Sequence, residues 1–458
     1  MVVRTTSDNI YEGVSDFYAG KSVFITGGTG FLGKVFIEKL LYSCPDIDKI
    51  YMLIRDKKGV SSDQRVKAFI NNPIFSKLKI KRPNDLDKIV PIAGDIESPN
   101  LGLSPNDEET LIEKVSVIIH SAATVKFNEP LKEAWKINVE GTRMMVDLSR
   151  RMKNIEVFIH ISTAFTNTDR QVVDEVLYPA PVDIDEMYLK LKEGVSPAQT
   201  KKILKGRPNT YTFTKAVTEH LVAENRGFLP TIIIRPSVAA KEHPIKGWLE
   251  NWYGATGLST STAKGLNRIV HGVEDNVIDL IPVDYVANAV IVSGARARRY
   301  DSNEVAIYNC CSSACNPITL GKILGTFKED TMKYDNIPSF FSAILHLPIL
   351  FTTHSWLIPI VTVLFQIIPA YFADIWRQMM GKRPRYMKLQ SLVIMTRDAL
   401  AYFTSHSWVM TATGVRELCA GLSSDDRSMF PCDPTDINWD EYMEDYCWGV
   451  RRFLEHKI

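Results

Sequence analysis

The chain has few cysteines and no excess of either charge. Its 458 residues include seven cysteines that never form a CxxC pair, so neither a disulfide scaffold nor a zinc module is expected. Lys plus Arg number 54 and Asp plus Glu 53, and the resulting net charge of +1 offers no global field for nucleic acid. Residues 1–20 lack the basic segment and apolar core of a signal peptide, which predicts a catalytic part in the cytosol or another reducing space.

Short apolar runs recur between helical-looking stretches over the first two thirds of the chain. Because the runs are continuous rather than alternating, they suit strands buried on both faces of a parallel sheet. Their rhythm predicts an α/β fold with an open, doubly wound sheet. The predicted strands are Ser22–Thr26, Ile50–Arg55, Ile89–Ala93, Ser116–Ser121, Val157–Ser162, Thr231–Arg235 and Val305–Cys310.

A second zone begins with 38 residues, Asn336–Ala373, that contain no Asp, Glu, Lys or Arg. A bilayer core needs about 20 such residues, but prolines interrupt the run roughly every ten positions. Two interpretations stay open: a segment that spans, enters or touches a membrane, or short helices that cover an apolar pocket. From Lys382 to Ile458 the composition predicts a soluble helical domain.

A glycine-rich turn follows the first strand and opens a helix. Glycine permits positive φ and a close backbone approach to a pyrophosphate, and the helix N-terminus offers free N–H groups to it. The strand–turn–helix context supports a dinucleotide site. Its residues are Thr26, Gly27, Gly28, Thr29, Gly30, Phe31, Leu32 and Gly33.

The end of the second strand bears on the choice of cofactor. Arg55 is placed to accept a 2′-phosphate and favours NADPH, with Lys57 and Lys58 as helpers, whereas an acid there would favour NAD. Asp56 follows directly, so a shift of one residue would reverse the inference. Asp95 and Ile96, in the turn after the third strand, are candidates for contact with the adenine ring.

Tyr211 and Lys215 form the candidate acid–base pair. Four residues apart on a predicted helix, they lie on one face. A free phenol has a pKa near ~10, and we expect the neighbouring ammonium to lower it toward the working range. Lys215 is also placed to hold the nicotinamide ribose.

Hydroxyl and amide side chains complete the candidate site. Thr163, or alternatively Ser162, at the end of the fifth strand would orient a substrate carbonyl. Asn138 either forms a polar relay behind Lys215 or caps a helix. His120 is expected to be a packed core histidine, and no metal site is predicted.

Together these motifs resemble an extended short-chain dehydrogenase/reductase, and further segments resemble the alcohol-forming fatty acyl-CoA reductases of insects and other animals. The shared motifs are TGGTGFLG, His120–Ala123, NVEGT, the STA of strand five, YxxxK, Arg235–Ser237, Lys246–Trp248 with Trp252, Gly257–Leu258, Ile281–Asn288, Trp439-x-x-Tyr442 and Gly449–Arg451. The resemblance adds Ser121, Ala122, Ala123, Asn138, Pro236 and Ser237 to the cofactor-binding residues.

The resemblance implies a Rossmann-like fold with a mainly helical C-terminal domain. Its divisions are an N-terminal extension (1–20), an NADP-binding reductase domain with substrate-binding insertions (21–335), the apolar segment (336–373) and the helical domain (374–458). The basic residues Lys201, Lys202, Lys205 and Arg207 would bind CoA phosphates or form a solvated face.

The implied reaction reduces a long-chain fatty acyl-CoA to a primary alcohol through a bound aldehyde, with two NADPH consumed and CoA released. Such alcohols feed wax and ether-lipid synthesis. The resemblance also implies a membrane-associated protein of the peroxisome or endoplasmic reticulum, with its catalytic domain facing the cytosol. The alternatives are another extended reductase, such as a sterol dehydrogenase or sugar-nucleotide epimerase, and a non-catalytic NADPH-binding membrane scaffold.

Overall fold

The computed structural model describes residues 12–56, 59–237, 245–252, 254–297, 304–334 and 348–454. The chain divides into two compact units, each assembled from three stretches. The first unit comprises Met1–Val238, Ile281–Cys311 and Met410–Thr435, and the second Ala239–Leu280, Ser312–Val409 and Asp436–Ile458. These units do not follow the contiguous order of the predicted divisions. Residues 336–347 of the predicted apolar segment, Lys57 and Lys58 lie outside the described residues.

Strands and helices alternate along the chain, and we number them in order. The strands are β1 (Ser22–Thr26), β2 (Ile50–Ile54), β3 (Ile89–Ala93), β4 (Val115–His120), β5 (Val157–Ile161), β6 (Val172–Val173), β7 (Thr231–Pro236), β8 (Ile269–His271), β9 (Val277–Ile278), β10 (Ala306–Cys310), β11 (Ile318–Thr319), β12 (Leu350–Thr352) and β13 (Val409–Met410). The helices are α1 (Val14–Tyr18), α2 (Phe31–Ser43), α3 (Ser62–Ile70), α4 (Ser76–Lys81), α5 (Pro105–Lys114), α6 (Leu131–Trp135), α7 (Gly141–Ser149), α8 (Ile184–Glu193), α9 (Pro197–Ile203), α10 (Thr210–Asn225), α11 (Ala255–Ala263), α12 (Val283–Ala295), α13 (Leu320–Tyr334), α14 (Leu357–Thr362), α15 (Ile368–Met379), α16 (Tyr386–Thr404), α17 (Thr413–Ala420), α18 (Ser424–Met429) and α19 (Trp439–Phe453).

The first unit is built on a seven-stranded parallel sheet with the order β10-β7-β5-β4-β1-β2-β3. Its members are the seven strands predicted from the apolar runs, so the doubly wound α/β prediction is confirmed. Phe158 of β5 belongs to the core cluster that includes residues of α7 and α10, while the next residue, Ile159, approaches Gly294 of α12. Successive strand residues point to opposite faces, so helices cover both sides of this sheet.

Parallel pairing places the carboxyl ends of all seven strands at one edge. The strand order changes direction at β1, because β2 lies on one side of it and β4 on the other. Ligands of open α/β sheets bind at such a switch point, outside the carboxyl ends of the strands. The topology therefore directs attention to the loops that follow β1, β2, β4 and β5.

The second unit is mainly helical, with two small two-stranded sheets formed by β8 with β12 and by β9 with β11. Its α19 packs closely on the turn at Gly247, where φ is 63°. A Cβ added to Gly449 would lie 1.8 Å from the carbonyl oxygen of Gly247. Both glycines belong to motifs that carry the family resemblance, and the contact gives a physical reason for them.

Leu357–Met379 forms one continuous helix of 23 residues, although the sequence predicts that prolines interrupt this region. The helix widens into a π turn over Val363–Ile367, which ends two residues before Pro369. A proline removes one backbone hydrogen bond, and a π turn is a common place to absorb that loss. Among the described residues this helix alone is long and apolar enough to cross a membrane.

Candidate active site

The loop between β1 and α2 requires glycine at two positions. Gly27 has a φ of 71°, and a Cβ there would lie 2.8 Å from the backbone nitrogen of Ala122. A Cβ on Gly33 would lie 2.3 Å from the carbonyl oxygen of Gly27. The chain therefore turns tightly into α2, a helix of 13 residues whose N-cap is Gly30.

Hydrogen bonds from β4 hold this loop. The backbone N–H of Ala122 donates to Thr26 Oγ1 over 3.2 Å. His120 bridges two hydroxyls, with Nδ1 2.7 Å from Thr26 Oγ1 and Nε2 3.0 Å from Thr142 Oγ1. Burial lowers the pKa of His120 to about 3, so the ring is neutral. His120 is thus the packed core histidine that the sequence predicts, and it positions the glycine loop.

The predicted cofactor residues share the carboxyl edge of the sheet. They are Thr26, Gly27, Gly28, Thr29, Gly30, Phe31, Leu32 and Gly33 at β1, Arg55 after β2, Asp95 and Ile96 after β3, Ser121, Ala122 and Ala123 after β4, and Pro236 and Ser237 at β7. The bare glycine turn and the N-terminus of α2 fit the pyrophosphate of a dinucleotide, because backbone N–H groups there attract phosphate. These residues would hold NAD(P) at the edge of the sheet.

Arg55 and Asp56 follow β2 but face different partners. Asp56 Oδ1 accepts from the backbone N–H of Ser62, the first residue of α3. The Arg55 side chain is half-exposed, with Nη1 3.7 Å from Asp95 Oδ2 and 3.5 Å from Glu97 Oε1. The carboxylate of Asp56 therefore supports a helix start, while the guanidinium of Arg55 stands at the carboxyl edge of the sheet.

Tyr211 lies in the first turn of α10. Its phenol shares a hydrogen bond with the Thr163 side chain, and its ring stacks on Phe127 at 6.2 Å between centroids. Burial raises the pKa of Tyr211 to about 12. The phenol is therefore protonated throughout the neutral range, which is the form able to donate a proton.

Lys215 lies one helical turn further along α10, as predicted. Its Nζ donates to the backbone oxygen of Ile161, at the end of β5, over 2.6 Å. Burial lowers the pKa of Lys215 to about 8, and the Glu219 carboxylate opposes this change. The expectation that Lys215 lowers the pKa of Tyr211 is wrong for this structure, because burial dominates and moves that pKa upward.

Ser162 and Thr163 point to different surroundings, as neighbouring residues at a strand end do. Ser162 Oγ donates to Glu219 Oε1 over 2.5 Å, away from the phenol. Thr163 meets Tyr211, and its Oγ1 also accepts from the N–H of Phe165. The geometry separates the two candidates. Thr163 contacts the Tyr211 phenol, whereas Ser162 contacts the buried carboxylate of Glu219.

The charge network around Glu219 was not predicted from the sequence. Arg235 on β7 pairs with Glu219 through Nε–Oε1 and Nη2–Oε2 contacts of 2.9 and 2.6 Å, and both side chains are buried. The guanidinium also donates to the backbone oxygens of Asp174 and Val176. The signal available was spacing, since Tyr211, Lys215 and Glu219 recur every four residues along one helix face.

Asn138 lies in a π turn, Lys136–Glu140, between α6 and α7. Its Nδ2 donates to Thr214 Oγ1 over 2.9 Å, and its Oδ1 accepts from the backbone N–H of Thr124 over 2.9 Å. Asn138 therefore joins the loop after β4 to α10, beside the helix turn that carries Lys215. Its side-chain hydrogen bonds go to Thr124 and Thr214, and the N-caps of the neighbouring helices are Pro130 and Glu140, so Asn138 is not a helix cap. The polar relay behind Lys215 stays a prediction.

The basic residues proposed for CoA phosphates differ in their surroundings. Arg207 is buried and donates from Nε to the Thr166 oxygen, and Lys205 donates to the Pro181 oxygen. Lys201 and Lys202 are exposed on α9. The first two are thus engaged with the backbone, and the last two form a solvated face in this structure.

Two family models and several curated proteins are similar to this chain over most of its length. An NAD-binding family model described as male sterility protein matches residues 25–290, and a second model, Sterile, also described as male sterility protein, matches residues 365–457. Fatty acyl-CoA reductase 1 of Homo sapiens is 35% identical over 454 residues, covering 96% of this chain and 86% of that protein. Fatty acyl-CoA reductase 2 of Mus musculus is 36% identical over 455 residues with the same coverage.

Solved structures support the fold. The terminal reductase domain of the myxalamid biosynthetic pathway aligns with a TM-score of 0.62 at 19% identity, covering 95% of this chain and 92% of that one. The reductase domain of a nonribosomal peptide synthetase from Mycobacterium tuberculosis aligns with a TM-score of 0.57 at 19% identity, covering 96% and 94%. At these identities the likeness establishes the fold alone, a doubly wound α/β architecture.

Proposed function

The chain belongs to the family of fatty acyl-CoA reductases, and from this premise we propose that it reduces a long-chain fatty acyl-CoA to the primary fatty alcohol. The observation that carries the proposal is the Tyr211–Thr163 hydrogen bond, with Lys215 one turn away, at the sheet edge that also holds the glycine loop. An acid–base group beside a dinucleotide loop is the arrangement that hydride reduction of a carbonyl needs.

The bound nicotinamide would supply hydride to the carbonyl carbon. Thr163 and Tyr211 would hold the carbonyl oxygen, and Tyr211 would give it a proton as the carbon–oxygen double bond opens. The hydroxyl proton of the resulting hemithioacetal would return to the Tyr211 phenolate as the carbon–sulfur bond breaks, which would release the CoA thiolate, leave an aldehyde and restore the phenol for the second reduction. A second hydride and proton then produce the alcohol, so each turnover consumes two reduced cofactors and releases one CoA.

We propose NADPH as the cofactor because Arg55 is half-exposed at the end of β2 while Asp56 is tied to α3. A guanidinium suits a 2′-phosphate, whereas NAD-preferring proteins place an acid at this point. In this structure the Arg55 guanidinium lies beside Asp95 and Glu97. When NADPH binds, the guanidinium would leave these carboxylates and pair with the 2′-phosphate.

The site of action we propose is a membrane surface, with the catalytic residues facing the cytosol. The exposed apolar helix Leu357–Met379 supports membrane association. The peroxisomal membrane and the endoplasmic reticulum are the compartments that the family resemblance suggests.

The decisive assay follows palmitoyl-CoA, the reduced cofactor, free thiol and alcohol together. We expect two NADPH oxidised and one CoA released per alcohol. Tyr211→Phe should lower alcohol formation by about 10²–10⁴-fold without changing the Kd for NADPH, since general acid catalysis contributes factors of that size. Tyr188→Phe, a matched change of an exposed tyrosine on α8, should leave the rate unchanged.

Three outcomes would overturn the proposal. Full activity of Tyr211→Phe would remove this phenol from the reaction. Turnover of a sterol or a nucleotide sugar, with no NADPH oxidation by any acyl-CoA, would assign the chain to another extended reductase type. Binding of NADPH with no turnover of any of these substrates would favour a non-catalytic scaffold.

A further inference from the structure

The helix Leu357–Met379 has its polarity inverted relative to a helix of a water-soluble domain. Its buried positions recur every fourth residue and are mostly polar: Thr362, Gln366, Ala370 and Asp374. The outward positions are large and apolar, with Phe372, Trp376 and Met379 between 63% and 75% exposed. A soluble helix buries its apolar stripe, so this arrangement indicates an apolar environment outside the helix.

Polar contacts on the inner side fix the helix within its unit. Arg397 Nη1 on α16 donates to Thr362 Oγ1 over 2.6 Å. The Asp374 carboxylate accepts from the backbone N–H groups of Arg385, Tyr386 and Met387, at the start of α16, over 2.7–2.9 Å. These bonds satisfy unpaired donors at a helix start and hold the two helices as one hairpin.

The second helix of the hairpin continues the same apolar surface. On α16 the buried side chains include Gln390, whose Nε2 donates to the Leu266 oxygen, while Leu392 and Met395 are more than half exposed. We call this surface the apolar face. It comprises Trp356, Ile360, Val363, Leu364, Phe365, Ile368, Tyr371, Phe372, Trp376, Met379, Met380, Met387, Leu392 and Met395.

Positive charge borders the apolar face. Between Ser355 and Arg397 the sequence contains six basic residues and a single acid, the buried Asp374. Lys382, Arg383, Arg385 and Lys388 are exposed in the turn between the helices and at the start of α16. Exposed aromatic residues beside lysine and arginine are typical of helices that lie in the plane of a membrane interface.

We propose that the apolar face docks the protein in the plane of an anionic lipid surface, without crossing the bilayer. A spanning arrangement would draw α16, which packs along α15 and carries Lys388, Arg397 and Asp398, into the hydrocarbon, where each charge is costly. In-plane docking buries the aromatic side chains and leaves the basic border among the headgroups. The inference rests on the proposed membrane association and names its mode and its lipid.

Flotation of the purified full chain with preformed vesicles tests the docking. The vesicles contain phosphatidylcholine alone or with about one-third phosphatidylserine. We expect the chain to bind from solution and to prefer the anionic vesicles, with binding weakened at about 1 M NaCl because salt screens exposed charges. Detergent reconstitution should not be required.

Two variants separate the apolar and the charged contributions. The triple variant Phe365→Ser, Phe372→Ser, Trp376→Ser should lose binding to both vesicle types by at least tenfold. The double variant Lys382→Glu, Arg383→Glu should lose the preference for phosphatidylserine by at least tenfold and keep the residual binding to phosphatidylcholine. Matched controls are Phe228→Ser, at a side chain 90% exposed in the first unit, and Lys77→Glu with Lys153→Glu.

Three results would overturn the proposal. In the first, the triple variant floats with vesicles as well as Phe228→Ser does. In the second, the unaltered chain is a dimer in vesicle-free buffer and the triple variant is a monomer, which would show that the apolar face binds a second copy of the chain. Association that requires detergent and then resists salt and alkaline carbonate would show a spanning helix. In parallel, the unaltered chain is assayed for turnover of a short, soluble acyl-CoA. If the chain binds vesicles but does not reduce this substrate, the result contradicts the proposed reaction and leaves the docking proposal standing.

Discussion

At the scale of single residues, surroundings assign different tasks to similar groups. Three side chains on one face of α10 follow each other at intervals of four: a phenol, an ammonium and a carboxylate. Burial raises the pKa of Tyr211 to about 12 and lowers that of Lys215 to about 8, while Glu219 is held by Arg235. The phenol therefore stays protonated at neutral pH. Of these two groups, Lys215 has the pKa closer to neutral pH.

This assignment predicts the alkaline limb of the pH–rate profile. Lys215 carries its charge below pH about 8 and loses it above, so kcat/KM should fall tenfold per pH unit beyond that value. Glu219 raises the pKa of Lys215, and Glu219→Gln should therefore move the limb to lower pH. The measurement is kcat/KM between about pH 6 and pH 10, which reports the groups of the free enzyme.

The control is Glu224→Gln, an exposed carboxylate on the same helix, which should leave the limb in place. Circular dichroism across the same pH range shows that each variant remains folded. A limb near pH 10.5, or one that Glu219→Gln does not move, would contradict the role given to Lys215.

At the scale of elements, α19 can cross close to the turn at Gly247 because both residues at the contact, Gly247 and Gly449, lack a side chain. Alanine normally stabilises a helix interior over glycine by roughly 0.5–1 kcal/mol. At Gly449 the new Cβ would meet the Gly247 backbone at 1.8 Å, and a backbone cannot rotate away as a side chain can. We expect Gly449→Ala to lower the free energy of unfolding by about 1–3 kcal/mol, as overpacked sites do.

Gly325 on α13 supplies the matched comparison, because a Cβ there has nothing within 4 Å. Gly325→Ala should be neutral or stabilising in the same denaturant titration. Equal effects at the two positions would show that helix propensity, and not the crossing, governs Gly449.

Elements differed in how far the sequence could predict them. The seven strands were predictable because strands buried on both faces have no alternation to misread, and the glycine loop because its strand and helix neighbours identify it. The continuous helix that includes Pro369 was not predictable, because a π turn accommodates the proline and nothing in the amino-acid composition reveals that turn. The pKa of Tyr211 was not predictable either, because burial depends on packing from α10, β5 and the loop after β4.

Glu219 was missed for a related reason. A carboxylate in a helix usually indicates a solvated face, and its buried partner Arg235 lies 16 residues away on β7. Only the fold brings the two together. Arg55 and Asp56 were ambiguous by one residue in the sequence, and the hydrogen bond from Ser62 to Asp56 separates them.

At the scale of the whole molecule, the charges nearly cancel, so ligands must be recognised by local charge. With a net charge of +1 the chain cannot steer an anionic cofactor from a distance. Discrimination between NADPH and NADH must therefore come from the few groups that reach the 2′-position. Arg55 follows β2 directly at that point, and its neighbours Asp95 and Glu97 hold its guanidinium there at 3.5–3.7 Å.

Thermal unfolding of the intact chain measures this discrimination without catalysis. A ligand at 100 times its Kd stabilises the folded state by about 2.7 kcal/mol, so NADPH should raise the Tm more than NADH at equal concentration. Arg55→Ala should weaken NADPH binding by about 10–100-fold, the effect of losing a hydrogen bond to a charged group, and leave the smaller NADH shift unchanged.

Glu97→Gln is the complementary variant, because it removes a carboxylate that competes with the 2′-phosphate for the guanidinium. Its NADPH shift should equal or exceed that of the unaltered chain, while its NADH shift stays the same. Equal Tm shifts from NADPH and NADH in the unaltered chain would contradict the preference itself. A parallel loss of both shifts in Arg55→Ala would mean that Arg55 supports the loop and does not select the phosphate.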